Sequence, residues 1–239
     1  MKFDCLQDFR DMYKGRPIFV AGAGPSLRFV DSSLAENHIV IAVNAAIMKF
    51  PQAKYFFTCD ATMPLTNVWA TLEDLNCKII EANNEEIFGV TKVLENRMLH
   101  FQRKREREDN KMNPDDEHLI FGTSSAHPAT HFACVLGGSP IVLLGCDCCL
   151  SSEEKMHFSN YDDEPNYYIL EEHVSHTLLG TKSSPELKQI YKGELTSMFQ
   201  TWRKIREMNP NIDIINASGG CLDIFPREDL DVLLRKFSK

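Results

Sequence analysis

Short apolar runs of four or five residues alternate along the chain with longer segments in which apolar residues recur at helical spacing. Each run ends at a small or polar residue, which is typical of strands that are buried on both faces of a parallel sheet. The predicted strands are 17–21, 39–43, 55–59, 77–81, 97–101, 140–144 and 213–216. The pattern therefore predicts an α/β fold, a doubly wound and mostly parallel sheet in a three-layer αβα arrangement.

Helical spacing is clearest from Pro185 to Met208, where an apolar stripe ends near Trp202. The closing segment 227–237 also predicts a helix, because Pro226 and the acidic pair that follows Arg227 are typical of a helix start. The other predicted helices or helical turns are 3–13, 27–34, 45–50, 63–75 and 124–136.

Two polar segments interrupt this alternation. Residues 102–117 are densely charged, and we predict an exposed insertion there because no residue pattern in them would bury a core face. Residues 151–181 are rich in His, Tyr and Asp, and we predict a long functional lid. The whole chain, 1–239, is expected to be a single domain that carries these two additions.

Composition narrows the function classes. The 239 residues are 43% hydrophobic and carry a net charge of −8, which excludes a wholly disordered chain and argues against binding nucleic acid or an anionic membrane surface. No stretch approaches the length of a membrane span, and the first residues lack the apolar core of a signal peptide. We therefore expect a cytoplasmic protein whose eight cysteines are thiols rather than disulfides. Oligomeric state is left open.

The turn Gly22-Ala23-Gly24-Pro25-Ser26 follows the first predicted strand. Its two glycines would let the backbone approach a phosphate or a ribose, and its N–H groups could stabilise a leaving group. Leu27 replaces the third glycine of the dinucleotide fingerprint, and Asn44 replaces the acidic residue that should close the second strand. Both departures weaken an NAD(P) interpretation. The alternative is a tight turn that contacts no ligand.

Two aspartates close other predicted strands at the same edge of the sheet. Asp60 and Asp147 could bind ribose hydroxyls or Mg²⁺, or act as a base. The alternative is that each caps the following helix. The hydroxyl-rich sequence Thr123-Ser124-Ser125 precedes a helix of small residues and could hold an anion or a base, cap the helix, or do both.

Three histidines, His157, His173 and His176, lie in the predicted lid, where an imidazole could act as a general base. A solvated surface histidine is the alternative. His127 and His131 are four residues apart, but no metalloprotease pattern accompanies them, so we predict packing or capping roles.

Other motifs favour a structural interpretation. Cys146, Cys148 and Cys149 do not have the spacing of a zinc site, so packing is the better explanation and no metal ligand is assigned. The basic run from Arg103 to Arg107 is interrupted by acids and predicts a solvated loop.

The order of several motifs is more specific than any one of them. The ordered set is Val20-Ala21-Gly22-Ala23-Gly24-Pro25-Ser26-Leu27, Val40-Ile41-Ala42-Val43-Asn44, Phe57-Thr58-Cys59-Asp60, Gly122-Thr123-Ser124-Ser125, Leu136-Gly137-Gly138-Ser139-Pro140-Ile141-Val142-Leu143-Leu144-Gly145-Cys146-Asp147, His157 and Ile215-Asn216-Ala217-Ser218-Gly219-Gly220. Over about residues 17–235, this series resembles the MptE-like family of Rossmann-type proteins. That family includes archaeal 6-hydroxymethylpterin diphosphokinases and bacterial motility accessory factors. The chain is also similar to bacterial sialyltransferases that use CMP-activated sugars.

The resemblance implies a set of site residues. The residues that would line a nucleotide-binding site are Gly22, Gly24, Pro25, Ser26, Asn44, Asp60, Thr123, Ser124 and Ser125. Asp60 and Asp147 would face Mg²⁺ or the acceptor, and His176, His157 and Asp147 are the expected catalytic residues, with His176 as the base.

These observations together predict a nucleotide-dependent transferase. Transfer of a sugar from a nucleotide-activated donor, with a glycan as a possible acceptor, is preferred because the predicted lid suits stacking on a glycan. The alternatives are ATP-dependent diphosphate transfer to a pterin-like acceptor, an NAD(P)-binding oxidoreductase, and a non-catalytic binding protein that retains the fold.

Overall fold

A computed structural model describes residues 5–60, 66–82, 92–104, 109–149 and 185–238. Within these ranges, seven strands form one sheet in the order β5-β4-β3-β2-β1-β6-β7, and every neighbouring pair is parallel. The strands are β1 Ile18–Ala21, β2 Ile39–Val43, β3 Tyr55–Thr58, β4 Lys78–Ala82, β5 Met98–Phe101, β6 Ile141–Leu144 and β7 Ile214–Asn216. Each matches a predicted strand to within one residue at either end, so the predicted α/β, doubly wound class is confirmed.

Helices cover both faces of the sheet. They are α1 Leu34–Asn37, α2 Ala46–Lys49, α3 Thr66–Leu72, α4 Lys92–Glu95, α5 Ala126–Val135, α6 Pro185–Met208 and α7 Leu230–Phe237. Short 3-10 turns occupy Leu6–Phe9 and Pro25–Phe29. The bounds of α6 agree with the sequence prediction. The N-terminal prediction of a helix over 3–13 is wrong for the described residues 5–13, whose only helical element is the 3-10 turn Leu6–Phe9.

The alternation of side chains along each strand builds two hydrophobic cores. On one face of the sheet, Ile18 and Val20 of β1 pack with Phe132 of α5 and Trp202 of α6. On the other face, buried side chains from β1 and β2 pack with residues of α1 to α4 and α7. The four residues of β1 are fully buried, as expected for a central parallel strand that is covered on both sides.

The last helix begins later than the sequence suggested. Asp229 is its N-cap, and the Asp229 carboxylate accepts hydrogen bonds from the backbone amides of Asp231 and Val232 at 2.9 and 3.2 Å. Such a cap satisfies amides that have no partner within the helix. Pro226 therefore lies outside the helix rather than in its first turn.

The charged segment after β5 is not wholly exposed, and this part of the prediction is wrong. Asn110 and Met112 are buried, and Met112 joins the hydrophobic core beside α5 and α6. The Asn209 side chain at the end of α6 accepts the Met112 amide hydrogen at 2.7 Å and donates to the Asn110 carbonyl at 2.8 Å. An amide side chain from elsewhere in the chain thus supplies the polar partners that allow this backbone to be buried.

His131 fastens the same segment to α5. Its Nδ1 accepts the Ile120 amide hydrogen at 3.1 Å, so Nε2 carries the proton and donates to the Asn113 carbonyl at 2.9 Å. Burial is the main cause that lowers its pKa to about 4. The predicted packing role of this histidine is therefore confirmed.

The predicted lid, 151–181, lies outside the described residues. Among the helices that the structure describes, none is both long enough and apolar enough to cross a membrane.

Candidate functional site

The order in which the strands are added to the sheet reverses between β1 and β6. These two strands are neighbours in space although β2 to β5 separate them in sequence. Parallel sheets bind ligands beyond the carboxyl ends of their strands at such a switch point. A cavity of about 270 Å³ lies there. The described residues that line it are Gly22, Ala23, Gly24, Pro25, Val43, Asn44, Asp60, Thr123, Ser124, Ser125, Ala126, Gly145, Cys146, Asp147, Cys148, Cys149, Leu195, Met198 and Trp202.

Close packing of two strand-end turns explains the glycines. A Cβ on Gly22 would lie 2.7 Å from the Gly145 carbonyl oxygen, and a Cβ on Gly24 would lie 2.5 Å from Oδ2 of Asp147. Gly145 has φ +57°, and a Cβ there would meet the Gly22 oxygen at 2.5 Å. The space that a side chain would fill at these positions is thus occupied by protein atoms rather than left for a phosphate.

The backbone amides of this turn are already in use. Gly22 N–H donates to the Leu144 carbonyl and Gly24 N–H to the Gly145 carbonyl, each at 2.8 Å. Ser26 N–H donates to Asp147, also at 2.8 Å, and Pro25 has no N–H. The amides of Gly22, Gly24 and Ser26 are therefore not available to the predicted nest, because these three groups hold the β1 and β6 turns together.

Asp147 lies at the centre of this arrangement. Its Oδ2 accepts the Ser26 amide hydrogen, and its Oδ1 is buried and has no hydrogen-bond partner among the described residues. Gly219 covers Oδ1, since a Cβ on that glycine would lie 3.3 Å from it. Burial raises the pKa of the Asp147 carboxyl, while hydrogen bonds from Ser26 and the charge of Arg227 oppose the shift.

The turn after β7 packs against the same aspartate. The Cys221 amide donates to the Asp147 carbonyl at 2.8 Å, and the guanidinium of Arg227 donates to the Gly219 and Gly220 carbonyls at 2.6 and 2.9 Å. Buried Asn216 accepts the Ser218 amide hydrogen at 2.8 Å. Three strand-end turns are thus fixed around one carboxylate.

On the other side of the cavity, Asp60 accepts two hydrogen bonds. One comes from the side-chain amide of Asn44, and the other comes from the Ser125 hydroxyl at 3.3 Å. Ser125 Oγ in turn accepts the Cys59 amide hydrogen at 3.1 Å. Asn44 has φ +52°, a left-handed conformation that Asn tolerates better than most residues. Asp60 itself is exposed, which leaves its carboxylate accessible from the cavity side.

The N-terminus of α5 forms a third part of the cavity wall. His127 is fully buried and its Nδ1 accepts the Ser124 amide hydrogen at 3.1 Å. Its ring meets the edge of Trp202 with a centroid separation of 4.5 Å. Burial lowers its pKa to about 3, so the imidazole is neutral near pH 7. His127 thus packs and positions this turn, as predicted.

Residues 1–153 match the family described as 6-hydroxymethylpterin diphosphokinase MptE-like. The chain belongs to the MptE-like family. This segment holds β1 to β6 and the turns that meet at Asp147 and Asp60.

A solved structure is similar to this MptE-like chain over almost its whole length. It is the MAf glycosyltransferase from Magnetospirillum magneticum AMB-1, with a TM-score of 0.51 and 15% sequence identity. The match covers 98% of this chain and 40% of the other, so the chain spans less than half of that protein. At this identity the likeness concerns the fold. No curated protein matches the chain.

Most of the predicted binding residues of the MptE-like chain line the cavity. Eight of the nine do so: Gly22, Gly24, Pro25, Asn44, Asp60, Thr123, Ser124 and Ser125. Ser26 is held behind the wall by Asp147, which itself lines the cavity. The catalytic candidates His157 and His176 lie outside the described residues, so their roles stay predictions.

Sequence reasoning missed the contribution of α6. Leu195, Met198 and Trp202 line the cavity, although the apolar stripe to which they belong predicted only a core face. The described residues contain no group of three or more His, Cys, Asp or Glu side chains that could hold a metal ion.

Proposed function

We propose that this MptE-like protein is a transferase that binds a nucleotide-activated sugar in the strand-end cavity. The observation that carries the proposal is the position of the cavity, at the switch point between β1 and β6 and against the N-terminus of α5. Phosphate-bearing ligands are favoured at such positions in wound parallel sheets. The family description and the glycosyltransferase neighbour both name transferases.

The size of the cavity favours a small donor. Its volume of about 270 Å³ is close to the lower end of the range for ligand pockets, which is about 300–1,000 Å³. A nucleoside monophosphate suits this space better than a dinucleotide such as NAD(P). Two sequence features also argue against a dinucleotide. The third glycine of the dinucleotide fingerprint is absent after Gly24, and the end of β2 carries the amide Asn44 instead of an acidic residue.

The charge of the cavity favours a donor with one phosphate. Its described lining carries the carboxylates of Asp60 and Asp147 and includes neither Lys nor Arg. A triphosphate would bring several negative charges next to these carboxylates, whereas a phosphodiester-linked sugar brings one. Like charges at short range are costly in a partly buried site.

We place the donor phosphate at the start of α5. The helix dipole favours an anion there, and the hydroxyl of Ser124 can donate to it while its oxygen accepts the Ala126 amide hydrogen at 3.3 Å. The Thr123 hydroxyl donates to Thr201 at 3.2 Å, since the Thr201 hydrogen goes to the Ser197 carbonyl. It becomes the second donor when it turns from Thr201 to the phosphate. These hydroxyls replace the amides of Gly22 to Ser26 in the expected stabilisation of the leaving group.

The base is proposed to be a histidine of 151–181. His176 is the first candidate and His157 the second, because an imidazole titrates near neutral pH. Asp147 suits this role less well, since Oδ2 is bonded to Ser26 and Oδ1 is buried under Gly219.

Diphosphate transfer from ATP is the second candidate function, because it is the activity in the family description. It would need Mg²⁺, which proteins bind through one or two carboxylates together with phosphate oxygens. Asp60 fits that requirement, because it is exposed at the cavity. Asp147 does not, because its oxygens are bonded or covered. Mg²⁺ would be held by Asp60 and would screen the charge of the phosphates.

Ligand binding is tested by calorimetry and thermal shift with CMP, CDP, UDP, GDP, AMP, ATP and NAD, each with and without Mg²⁺. We expect the largest stabilisation from a nucleoside monophosphate, without a requirement for Mg²⁺. Ser124→Ala should weaken it, whereas Ser32→Ala, an exposed serine in the segment after β1, should leave it unchanged. A response to ATP only with Mg²⁺ would favour diphosphate transfer. No response from folded protein would overturn both functions.

Turnover is tested by incubating the protein with CMP-, UDP- and GDP-activated sugars and measuring the released nucleotide. We expect slow release with one base and loss of release in His176→Ala, with nucleotide binding retained. Binding without release or transfer, with or without added glycans, would favour the non-catalytic alternative.

A further inference from the structure

Four cysteines gather near the strand-end turns. Cys146, Cys148 and Cys149 follow β6, and Cys221 follows the glycine pair after β7. All four are free thiols; Cys146 is buried, Cys148 and Cys149 are half-buried, and Cys221 is exposed. The packing prediction fits Cys146, but it does not account for an exposed thiol beside half-buried ones.

Backbone contacts hold Cys221 against Asp147, at the start of the turn that contains Cys149. The Cys221 amide donates to the Asp147 carbonyl at 2.8 Å, and Gly220, with φ +64°, packs so closely that a Cβ on it would lie 2.4 Å from the same oxygen. Cys148 has φ +53°, which turns the chain after Asp147. The Cys149 and Cys221 side chains lie close enough for a hydrogen bond between them to contribute, after burial, to the raised pKa of the Cys149 thiol.

We propose that Cys149 and Cys221 are a redox modification site that forms an intramolecular disulfide with a small disulfide oxidant such as glutathione disulfide. Bond formation would bring the two Sγ atoms to a separation of about 2.05 Å. It would join the turn after β6 to the turn after β7.

The reaction balances in two exchange steps. The Cys221 thiolate attacks one sulfur of glutathione disulfide, forming a mixed disulfide and releasing one glutathione thiolate. The Cys149 thiolate then attacks the Cys221 sulfur of that mixed disulfide, forming the Cys149–Cys221 bond and releasing the second glutathione. Both cysteines lose their protons to solvent, the protein is oxidised by two electrons, and the glutathione disulfide is reduced to two thiols.

Exposure sets the order of these steps. Cys221 is the exposed member of the pair, so the oxidant reaches it first. Burial, followed by the hydrogen bond to Cys221, raises the pKa of Cys149 to about 12, so its thiolate is scarce near neutral pH. The second step should therefore accelerate as the pH rises, and mildly alkaline buffer is the appropriate test condition.

The disulfide does not depend on the proposed function, but one consequence of it does. Cys149 lines the cavity, whereas Cys221 lies on the turn that packs on Asp147. Fixing the two turns would change the volume that a nucleotide can occupy. If the protein binds nucleotides, the oxidised and reduced forms should differ in affinity by several-fold.

The experiment treats the full chain with glutathione disulfide in mildly alkaline buffer, followed by thiol titration and peptide mass mapping. We expect the loss of two thiols, a linked peptide pair containing Cys149 and Cys221, and full reversal by dithiothreitol. Cys149→Ser and Cys221→Ser should each abolish the linked pair. Cys221→Ser should also abolish the mixed disulfide at that position, whereas Cys149→Ser should accumulate it.

Two variants serve as controls. Cys5→Ser removes an exposed thiol near the N-terminus and should leave the linked pair intact. Cys148→Ser removes the other half-buried thiol near Cys221 and should also leave it intact. A linked pair that survives in Cys149→Ser, or stable glutathionylation of Cys221 in the unmodified chain without resolution, overturns the proposal. Both outcomes can be read whether or not the protein binds a nucleotide.

Discussion

The carboxylate of Asp147 accepts the backbone amide hydrogen of Ser26 at 2.8 Å, although 121 residues separate the two in sequence. This bond joins the turn after β1 to the turn after β6, and the turn after β7 packs over it. A strand-end aspartate that sequence reasoning assigned to catalysis is thus placed where it shapes the cavity. The distinction between a positioning residue and a base can be tested by substitution.

We predict that Asp147→Ala destabilises the protein and that Asp147→Asn does so less. The alanine leaves the Ser26 amide without its acceptor, which costs about 1–3 kcal/mol for a buried donor. The asparagine keeps an acceptor oxygen for the Ser26 amide, although its NH2 group takes the place of the partnerless Oδ1, so its cost should be smaller than that of the alanine. Urea unfolding of the three proteins gives these values. Equal losses in both variants would contradict a role based on this hydrogen bond.

Gly24→Ala should be destabilising, because the new Cβ would lie 2.5 Å from Asp147 Oδ2 and 2.6 Å from the Gly145 oxygen. Overpacking of this kind typically costs about 1–3 kcal/mol. Gly193→Ala in α6 is the matched control, since no atom lies within 4 Å of its added Cβ. Alanine should stabilise that helix by about 0.5–1 kcal/mol. Thermal unfolding should therefore shift in opposite directions for the two variants, and a shift in the same direction would count against the packing argument.

Asn209→Ala should loosen the segment after β5 from the end of α6. It removes the acceptor of the Met112 amide and the donor to the Asn110 carbonyl, both of which are buried. We expect a loss of about 2–6 kcal/mol in the free energy of unfolding, since each of the two buried groups left unpaired costs about 1–3 kcal/mol. Hydrogen exchange should show faster exchange at Met112. Asn113→Ala, whose side chain is exposed, should cost far less.

The buried His131 should make stability depend on pH. Its pKa falls from 6.5 to about 4 on folding, mainly because burial penalises the imidazolium, while Asp116 and Asp109 raise it and Lys104 lowers it. Between these values the unfolded chain binds more protons than the folded chain, so the free energy of unfolding falls as the pH drops. One such group contributes at most about 1.4 kcal/mol per pH unit.

Measurement of that effect compares the native chain with His131→Gln by urea unfolding at several pH values between about 4 and 7. The variant should be less stable near neutral pH, because Gln cannot meet both the Ile120 amide and the Asn113 carbonyl as the imidazole does. Its stability should also fall less steeply on acidification. Parallel curves for the two proteins would show that His131 does not cause the acid sensitivity.

The central strands β1, β2 and β6 were predictable because each is an apolar run that the sheet buries on both faces. Ile18 to Ala21 and Ile141 to Leu144 are fully buried, so no polar residue could be tolerated within them, and their ends are marked by Gly22 and Gly145. The binding candidates could be located because ligands of parallel sheets bind beyond the carboxyl ends of the strands. Asn44, Asp60 and Ser125 come from three separate segments and meet at the cavity.

What the sequence did not reveal depends on contacts between distant segments. Met112 is buried because Asn209, almost a hundred residues later, supplies partners to the backbone beside it. The amides of Gly22 and Gly24 are unavailable to a ligand because carbonyls of the β6 turn accept them. A local motif cannot show this, since the same glycines would serve an open phosphate loop equally well.

The mutual contact of Gly22 and Gly145 has a consequence for variation in this protein. Each occupies the space that a side chain on the other would need, so neither turn can be altered independently. Because each clash is with a backbone oxygen, no substitution at one position can make room for a side chain at the other, and relatives should keep glycine at both. Attempts to redesign ligand preference should therefore keep this pair fixed and vary Leu195, Met198 and Trp202, which border the same cavity from a separate helix.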